Sequence, residues 1–188
     1  MVLDPPLSDA QFQELCFAND WFRYERTREG EILMHPPTGG FTSRGNADIT
    51  GQLHAWWKTD RRGTTYDSNG GFFLPDGSML SPDAAYVLPQ KLKGLTKDDL
   101  TGLPYLCPDF IIELRSKNDR LPAAQKKMTA WIANGVKLAW LIDPQRRVVE
   151  IYRAGEARAH TVENPVAVEG EEPVRGFVLQ LERIWGRE

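Results

Sequence analysis

Acidic side chains occur at two points where the surrounding sequence is typical of β-strands. Asp83 follows Ser81-Pro82 at the start of an apolar run, and Glu113 lies inside the strand-like segment 110–114. Alternation along that strand places Glu113 on the same face as Arg115. A carboxylate among apolar residues is costly unless it is paired or bound to a metal. Two interpretations follow, a structural Glu113–Arg115 ion pair or a cation site.

A second Pro-Asp pair, Pro108-Asp109, is a poorer partner for Glu113. Asp109 and Glu113 are four strand residues apart, or about 13 Å, which is too far for one small cation to bind both. Asp83 belongs to a different predicted strand and is therefore the better partner. Proline before an acid is also common in turns and caps, so Asp83 itself has a purely structural alternative.

The helix predicted over residues 119–133 contributes a basic group. Its buried stripe consists of Ala124, Met128, Trp131 and Ile132. At about 100° per residue, Lys126 points into solvent, whereas Lys127 and Gln125 lie on the two flanks of the stripe. Lys127 precedes Trp131 by one turn and can lay its stem over apolar surface. It is either a lysine at the helix boundary or a cation that reaches the acids.

Combined, these residues predict a divalent-metal phosphodiesterase centre. Asp83 and Glu113 would hold Mg²⁺, which prefers oxygen ligands and retains several waters. The metal would lower the pKa of a bound water and neutralise charge on a phosphate. Lys127 would orient the water or the phosphate. Arg115 cannot act as a base, but it can stabilise negative charge in the transition state.

The elements that must position these residues alternate between helices and strands. Helices are predicted at 8–19, 46–60, 97–100 and 119–133. Strands are predicted at 21–26, 31–35, 64–67, 72–74, 83–88, 110–114, 137–142 and 148–153, with further short strands in the tail 157–188. The strand–helix–strand pattern over 109–142 favours a parallel, right-handed crossover. We expect an α/β domain with a mixed sheet.

Length and composition restrict the class of protein. The 188 residues fit one domain over 1–188, and the 41% hydrophobic and 26% charged content is ordinary for a globular protein. No apolar run is long enough to span a bilayer and no signal peptide is evident, so we expect a cytoplasmic protein. The net charge of −3 gives no support for nucleic-acid binding, which would need a local basic site. Three scattered histidines argue against a zinc site.

Several motifs in the expected order resemble the Uma-type putative restriction endonuclease family. They are the runs "LSPDAAYV" and "LCPDFIIELRSKND", the helix and strand that follow them, and the upstream run "GEILMHPPTGGFTSRGNADITGQLHAWW". The resemblance covers roughly residues 20–153. The family is placed in the PD-(D/E)XK nuclease superfamily, so the resemblance implies a restriction-endonuclease-like fold: a central mixed β-sheet flanked by helices, here with extra N-terminal strands.

The resemblance also implies roles for individual residues. Asp83 matches the first acid of the family and Glu113 the second. Arg115 stands where most of the superfamily has lysine, and Lys127 matches the lysine that this family carries on the next helix. Asn46, predicted to point inward, and Asp48, on the flank, match a polar pair at the start of the second helix. Gln125 is a further supporting candidate. The usual Ser-Pro-Ser after the second acid is replaced by Ser116-Lys117-Asn118.

The function predicted on this basis is an endonuclease that hydrolyses DNA with Mg²⁺ or Mn²⁺. We expect a homodimer, because a cut through both strands needs two centres; a sheet edge or the N-terminal helix around Phe12 and Leu15 would supply the contact. Two alternatives remain open. The chain is a catalytically silent nucleic-acid-binding or accessory protein on the same scaffold, or a structural domain in which the acids are relics.

Overall fold

A six-stranded mixed sheet forms the centre of the fold in a computed structural model, which describes residues 1, 3–19 and 21–186. The strand order is β10-β9-β8-β7-β6-β3, with β7 parallel to β8 and the other pairs antiparallel. These strands are β3 (Thr64–Tyr66), β6 (Ala84–Val87), β7 (Phe110–Leu114), β8 (Leu138–Asp143), β9 (Val148–Arg153) and β10 (His160–Glu163). Helix α5 (Leu121–Ala133) connects β7 to β8, which confirms the predicted parallel crossover.

Helices cover both faces of this sheet, as predicted. Helix α2 (Gly40–Asp60) packs Ile49 and Leu53 onto one face, together with the small sheet of β11 (Ala167–Glu169) and β12 (Val178–Gln180). Helix α5 packs Met128 and Trp131 onto the other face. Strand β7 alternates between these two cores, and this leaves Glu113 at the carboxyl end of β7 on the α5 side.

The extra N-terminal strands form a second sheet in the order β2-β1-β5-β4. Its members are β1 (Arg23–Arg26), β2 (Ile32–His35), β4 (Phe72–Phe73) and β5 (Met79–Leu80), and helix α1 (Asp9–Ala18) packs against it. Helix α1 is capped by Ser8, which forms a capping box with Gln11. Strand β5 leads directly into Ser81-Pro82-Asp83, so this sheet adjoins the predicted centre.

The surface of α1 differs from the prediction for the dimer contact. Phe12 is fully buried in a core with Ile32, Phe73 and Met79, and it is not available to a second chain. Phe17, on the same helix, is 59% exposed instead. The apolar stripe of a short helix is needed by its own sheet, which explains why Phe12 points inward.

One helix boundary and two short elements also differ from the sequence prediction. Helix α2 begins at Gly40 and not at residue 46. The periodicity did not reveal this start, because Phe41 is the one large apolar residue before the stripe that begins at Ile49. The short elements β5 and α3 (Pro89–Leu92) were not predicted, whereas α4 (Lys97–Thr101) was. Among the described residues, no helix is long and apolar enough to cross a membrane.

Candidate active site

Asp83 is held at the start of β6 by hydrogen bonds from two other elements. Its Oδ2 accepts from the backbone N–H of Leu114 at 2.7 Å, and its Oδ1 accepts from Nδ2 of Asn46 at 2.9 Å. Nη1 of Arg23 lies 3.8 Å from Oδ1. Strand β7, helix α2 and strand β1 therefore all contribute to the position of this carboxylate.

The register of β6 against β7 places Asp83 and Glu113 at the same end of the sheet. Ala84 pairs with Ile112 in this antiparallel ladder, and the backbone N–H of Asp83 donates to the carbonyl of Ile112 at 3.0 Å. The residue before Ala84 therefore lies beside the residue after Ile112. The strand pairing brings together two acids that are 30 positions apart in the chain.

Lys127 bridges the site from helix α5. Its Nζ lies 2.8 Å from Oε1 of Glu113 and donates to the carbonyl of Ser81 at 2.9 Å. Nε1 of Trp131, one turn later, donates to the same Glu113 oxygen at 2.9 Å. Lys126 is exposed. The predicted helix register, with Lys127 and not Lys126 toward the acids, is confirmed.

A third carboxylate, Glu25 on β1, belongs to the same cluster and was not identified from the sequence. Its Oε1 lies 2.8 Å from Nζ of Lys127 and accepts from the backbone N–H of Ser81 at 3.0 Å. Its side chain is 1% exposed. Glu25 stands in a run of charged residues that resembles an exposed strand. Only the pairing of Arg26 with Met79 on β5 places it beside Ser81.

The carboxylates differ in electrostatic state. Burial raises the pKa of Glu113 to about 7, and the charges of Asp83 and Glu25 add to this effect while Lys127 opposes it. Burial also raises the pKa of Asp83, although the Leu114 N–H and Arg23 act in the opposite direction. For Glu25, the charges of Lys127 and the neighbouring His35 outweigh the effect of burial, so its pKa is lowered.

The pKa of Lys127 is raised. Burial acts to lower it, but the charges of Glu113 and Glu25 outweigh burial. Lys127 is therefore an ammonium in this site and acts as a charge and a hydrogen-bond donor. Glu113 and Asp83 are the two acids whose ionised forms would gain most from an added cation.

The oxygen atoms at this site suit a hard divalent cation. Besides the carboxylates of Asp83 and Glu113, the amide Oδ1 of Asn46 is buried without a hydrogen-bond partner. Glu113 keeps 12% of its side chain exposed and is reachable from solvent. Within residues 1, 3–19 and 21–186, no group of three or more His, Cys, Asp or Glu is arranged to hold a metal. Two carboxylates, completed by water and substrate phosphate, are the usual protein contribution to a Mg²⁺ site.

The structure does not bring Arg115, Gln125 and Asp48 to the acids. Arg115 donates from Nη1 to Asp143 at 2.8 Å and from Nε and Nη2 to the carbonyl of Asp119. Arg115 therefore pairs with Asp143 and not with Glu113, so the structural alternative of a Glu113–Arg115 ion pair is excluded. Arg115 follows the last residue of β7, where the alternation of the strand no longer fixes the direction of a side chain.

The other two supporting candidates bind elsewhere. Gln125 donates to both carboxylate oxygens of Glu150 on β9, at 3.0 Å each. Asp48 accepts from Gln52 one turn later on α2 at 3.0 Å. Of the supporting residues, Asn46 alone contacts Asp83, as its predicted inward direction requires.

The fold and these contacts define a nuclease-like α/β domain with two acids and a lysine at one end of its sheet. A family model described as "Uma2: Putative restriction endonuclease" matches residues 9–182. The chain belongs to this family, as its motifs indicated.

Comparison with solved structures supports the fold. The chain is similar to a protein described as "a putative nuclease belonging to DUF820 from Anabaena variabilis ATCC 29413", with a TM-score of 0.72 and 18% sequence identity. The similarity covers 87% of this chain and 89% of that one. No curated protein matches the chain. The restriction-endonuclease-like architecture predicted from the sequence is confirmed.

Proposed function

We propose that the protein is an endonuclease that hydrolyses phosphodiester bonds of DNA and depends on Mg²⁺ or Mn²⁺. Its family and its fold support a nuclease. The observation that carries the proposal is the placement of the Lys127 ammonium 2.8 Å from Glu113, at the end of the sheet where Asp83 also lies. This set of groups matches the chemistry of metal-assisted phosphodiester hydrolysis.

Each residue has a distinct role in this proposal. Asp83 and Glu113 hold the cation, and Asn46 keeps Asp83 in place through its 2.9 Å hydrogen bond. The bound metal supplies a more acidic water and neutralises charge on the phosphate. Lys127 contributes positive charge beside the water or the phosphate. Arg115 is engaged by Asp143, so we assign its charge to the fold and not to the phosphate.

The surface around the site supports a nucleic-acid substrate. Lys117 and Arg120 are exposed in the loop that follows β7. These cations follow Glu113 closely in the chain and supply the local basic character that the net charge of −3 lacks. Contacts of this kind to phosphates weaken as salt rises, so binding of DNA is expected to fall steeply with ionic strength.

Cleavage of supercoiled plasmid tests the proposal. Wild-type protein with Mg²⁺ or Mn²⁺ is expected to nick the plasmid, and a chelator is expected to stop it. Glu113→Gln is expected to abolish cleavage, whereas the matched control Glu182→Gln, at an exposed position, retains it. Equal activity of the two variants would identify a contaminating nuclease. No cleavage of DNA or RNA with any divalent ion would favour the accessory-protein alternative.

Lys127 and Lys126 provide a second matched pair. Lys127→Met is expected to lower the cleavage rate about a hundredfold, the scale of a lost proton-transfer or charge-stabilising group, while it retains affinity for Mn²⁺ in calorimetry. Lys126→Met removes the same charge from the exposed neighbour and is expected to keep the rate. Loss of Mn²⁺ binding in Lys127→Met would contradict the separation of roles.

We further propose that the active form is a homodimer. Two copies related by a two-fold axis would present two centres to a duplex. The edge strands β3 and β10 are the candidates for the contact, since Phe12 is buried. Sedimentation at micromolar concentration is expected to give about twice the 21.3 kDa mass of the chain. A species at the mass of one chain would exclude the dimer.

A further inference from the structure

Glu25 is surrounded by protein donors. Its Oε1 receives the Lys127 ammonium and the backbone N–H of Ser81, and its Oε2 lies 3.3 Å from Nε2 of His35. Donors of the protein itself therefore engage Oε1 twice, and the His35 ring lies beside Oε2. Its charge is balanced by Lys127. A carboxylate so engaged is a poor candidate for a metal ligand.

Lys127 is held by a tripod of acceptors. An ammonium has three N–H donors, and three acceptors lie at 2.8–2.9 Å from Nζ: Oε1 of Glu25, the carbonyl of Ser81 and Oε1 of Glu113. A free lysine side chain has about 2 kcal/mol of rotamer entropy, so it does not keep one position unless it is anchored. Two of the three anchors come from the N-terminal sheet and the turn that leaves it.

We propose that Glu25 is a positioning residue for Lys127. It fixes the ammonium, together with the carbonyl of Ser81, at the point where Lys127 acts on the reacting groups. The role in catalysis rests on the proposed nuclease function, whereas the anchoring of Lys127 does not. The N-terminal sheet is consequently part of the active centre, since it supplies the anchor through β1.

A double-mutant cycle tests whether Glu25 acts through Lys127. Glu25→Gln is nearly isosteric and removes the charge; it is expected to lower kcat about tenfold with KM for DNA and affinity for Mn²⁺ unchanged. In a Lys127→Met background the same substitution is expected to cause no further loss, because the group that it positions is gone. Losses that multiply in the double variant, or a loss of Mn²⁺ affinity in Glu25→Gln, would overturn the proposal.

Chemical labelling tests the anchoring without any use of activity. An amine-reactive reagent, with products mapped by mass spectrometry, is expected to modify Lys127 several-fold faster in Glu25→Gln than in the wild type. Lys126 is the exposed reference on the same helix, and Lys91, which pairs with Asp109, reports general unfolding. Unchanged labelling of Lys127 would overturn the proposal even if the enzyme is active. Faster labelling in a protein that cleaves nothing would keep the anchor and reject the nuclease.

A milder substitution provides a second test in case Glu25→Gln does not fold. Glu25→Asp keeps the charge but withdraws the carboxylate by one methylene group. We expect labelling of Lys127 and kcat to lie between those of the wild type and Glu25→Gln. Behaviour of Glu25→Asp that equals the wild type in both measurements would show that the distance to Lys127 is unimportant, and the proposal would fail.

Discussion

The two Pro-Asp pairs of the chain have nearly the same local sequence but different surroundings. Asp83 and Asp109 each come directly before a strand, and their exposed fractions are 6% and 0%. Asp109 has two ammonium partners, Lys91 at 3.3 Å and Lys137 at 3.0 Å, and it accepts from the backbone N–H of Leu88. Asp83 has two amide donors and one guanidinium at 3.8 Å.

The antiparallel pairing of β6 and β7 explains this difference. Because the two strands run in opposite directions, the residues that precede them lie at opposite ends of the ladder. Asp109 is thereby separated from Glu113 and has its charge balanced within the protein. Asp83 lies beside Glu113 with its charge only partly balanced, and burial raises its pKa. The partners of a buried acid, and not its motif, show where a cation can be bound.

The largest expected effect is on the activity of Asp83→Asn. The loss of a metal ligand is worth several kcal/mol, and each 1.36 kcal/mol is tenfold in rate, so we expect a loss of about a thousandfold. Stability should change by only about 1 kcal/mol. The raised pKa means that ionised Asp83 costs stability at pH 7, and the Asn46 amide can turn over to accept from the new side chain. Cleavage rates and urea unfolding measure the two effects.

Asp109→Asn is expected to give the reverse pattern. It removes the charge that both Lys91 and Lys137 face, and we expect the free energy of unfolding to fall by about 1–3 kcal/mol. The side chains of these lysines are 30% and 53% exposed, so water stabilises them once the partner is gone. Activity per folded molecule should stay within twofold of the wild type. A collapse of activity without loss of stability would contradict the comparison.

Asn46→Ala removes one of the hydrogen bonds that hold Asp83 and leaves the charge of Asp83 in place. The variant loses the 2.9 Å hydrogen bond to Oδ1, which is worth about 1 kcal/mol, and Asp83 is less well oriented. We expect a roughly tenfold loss of cleavage rate and a comparable loss of Mn²⁺ affinity. Retention of both values would show that the Leu114 N–H alone fixes Asp83.

The smallest effect is expected at Asp48, which the sequence places beside Asn46. Asp48→Asn alters a half-buried side chain that accepts from Gln52, one turn later on α2. The cleavage rate should remain within twofold of the wild type. The free energy of unfolding should remain within about 0.5 kcal/mol of the wild-type value. A strong loss of rate would mean that Asp48 contacts the substrate.

Local periodicity was sufficient to predict the central part of the site. The bounds of the β7 strand and the direction of Lys127 follow from period 2 and period 3.6, and both are confirmed. The choice of Asp83 over Asp109 needed only the length of a strand. The same periodicity could not find the start of α2, whose first turns contain Phe41 as their one large apolar residue.

The other contacts of the site depend on elements that are far apart in the sequence. Glu25 reaches Lys127 across 102 positions because β1 pairs with β5, and no sequence pattern encodes that ladder. Arg115 was expected at Glu113 and Gln125 near the centre, but their acceptors, Asp143 and Glu150, come from later strands. A polar side chain at the end of a strand or on the flank of a helix takes the partner that tertiary pairing offers, which local sequence does not specify.

Anomalous diffraction from a crystal grown with Mn²⁺ tests the central claim most directly, namely that Asp83 and Glu113 together hold one cation. We predict a single peak in contact with carboxylate oxygens of both Asp83 and Glu113, and none at Asp109, whose charge Lys91 and Lys137 already balance. A peak at Asp109, or a well-ordered site at Asp83 and Glu113 with no peak at saturating Mn²⁺, would contradict it.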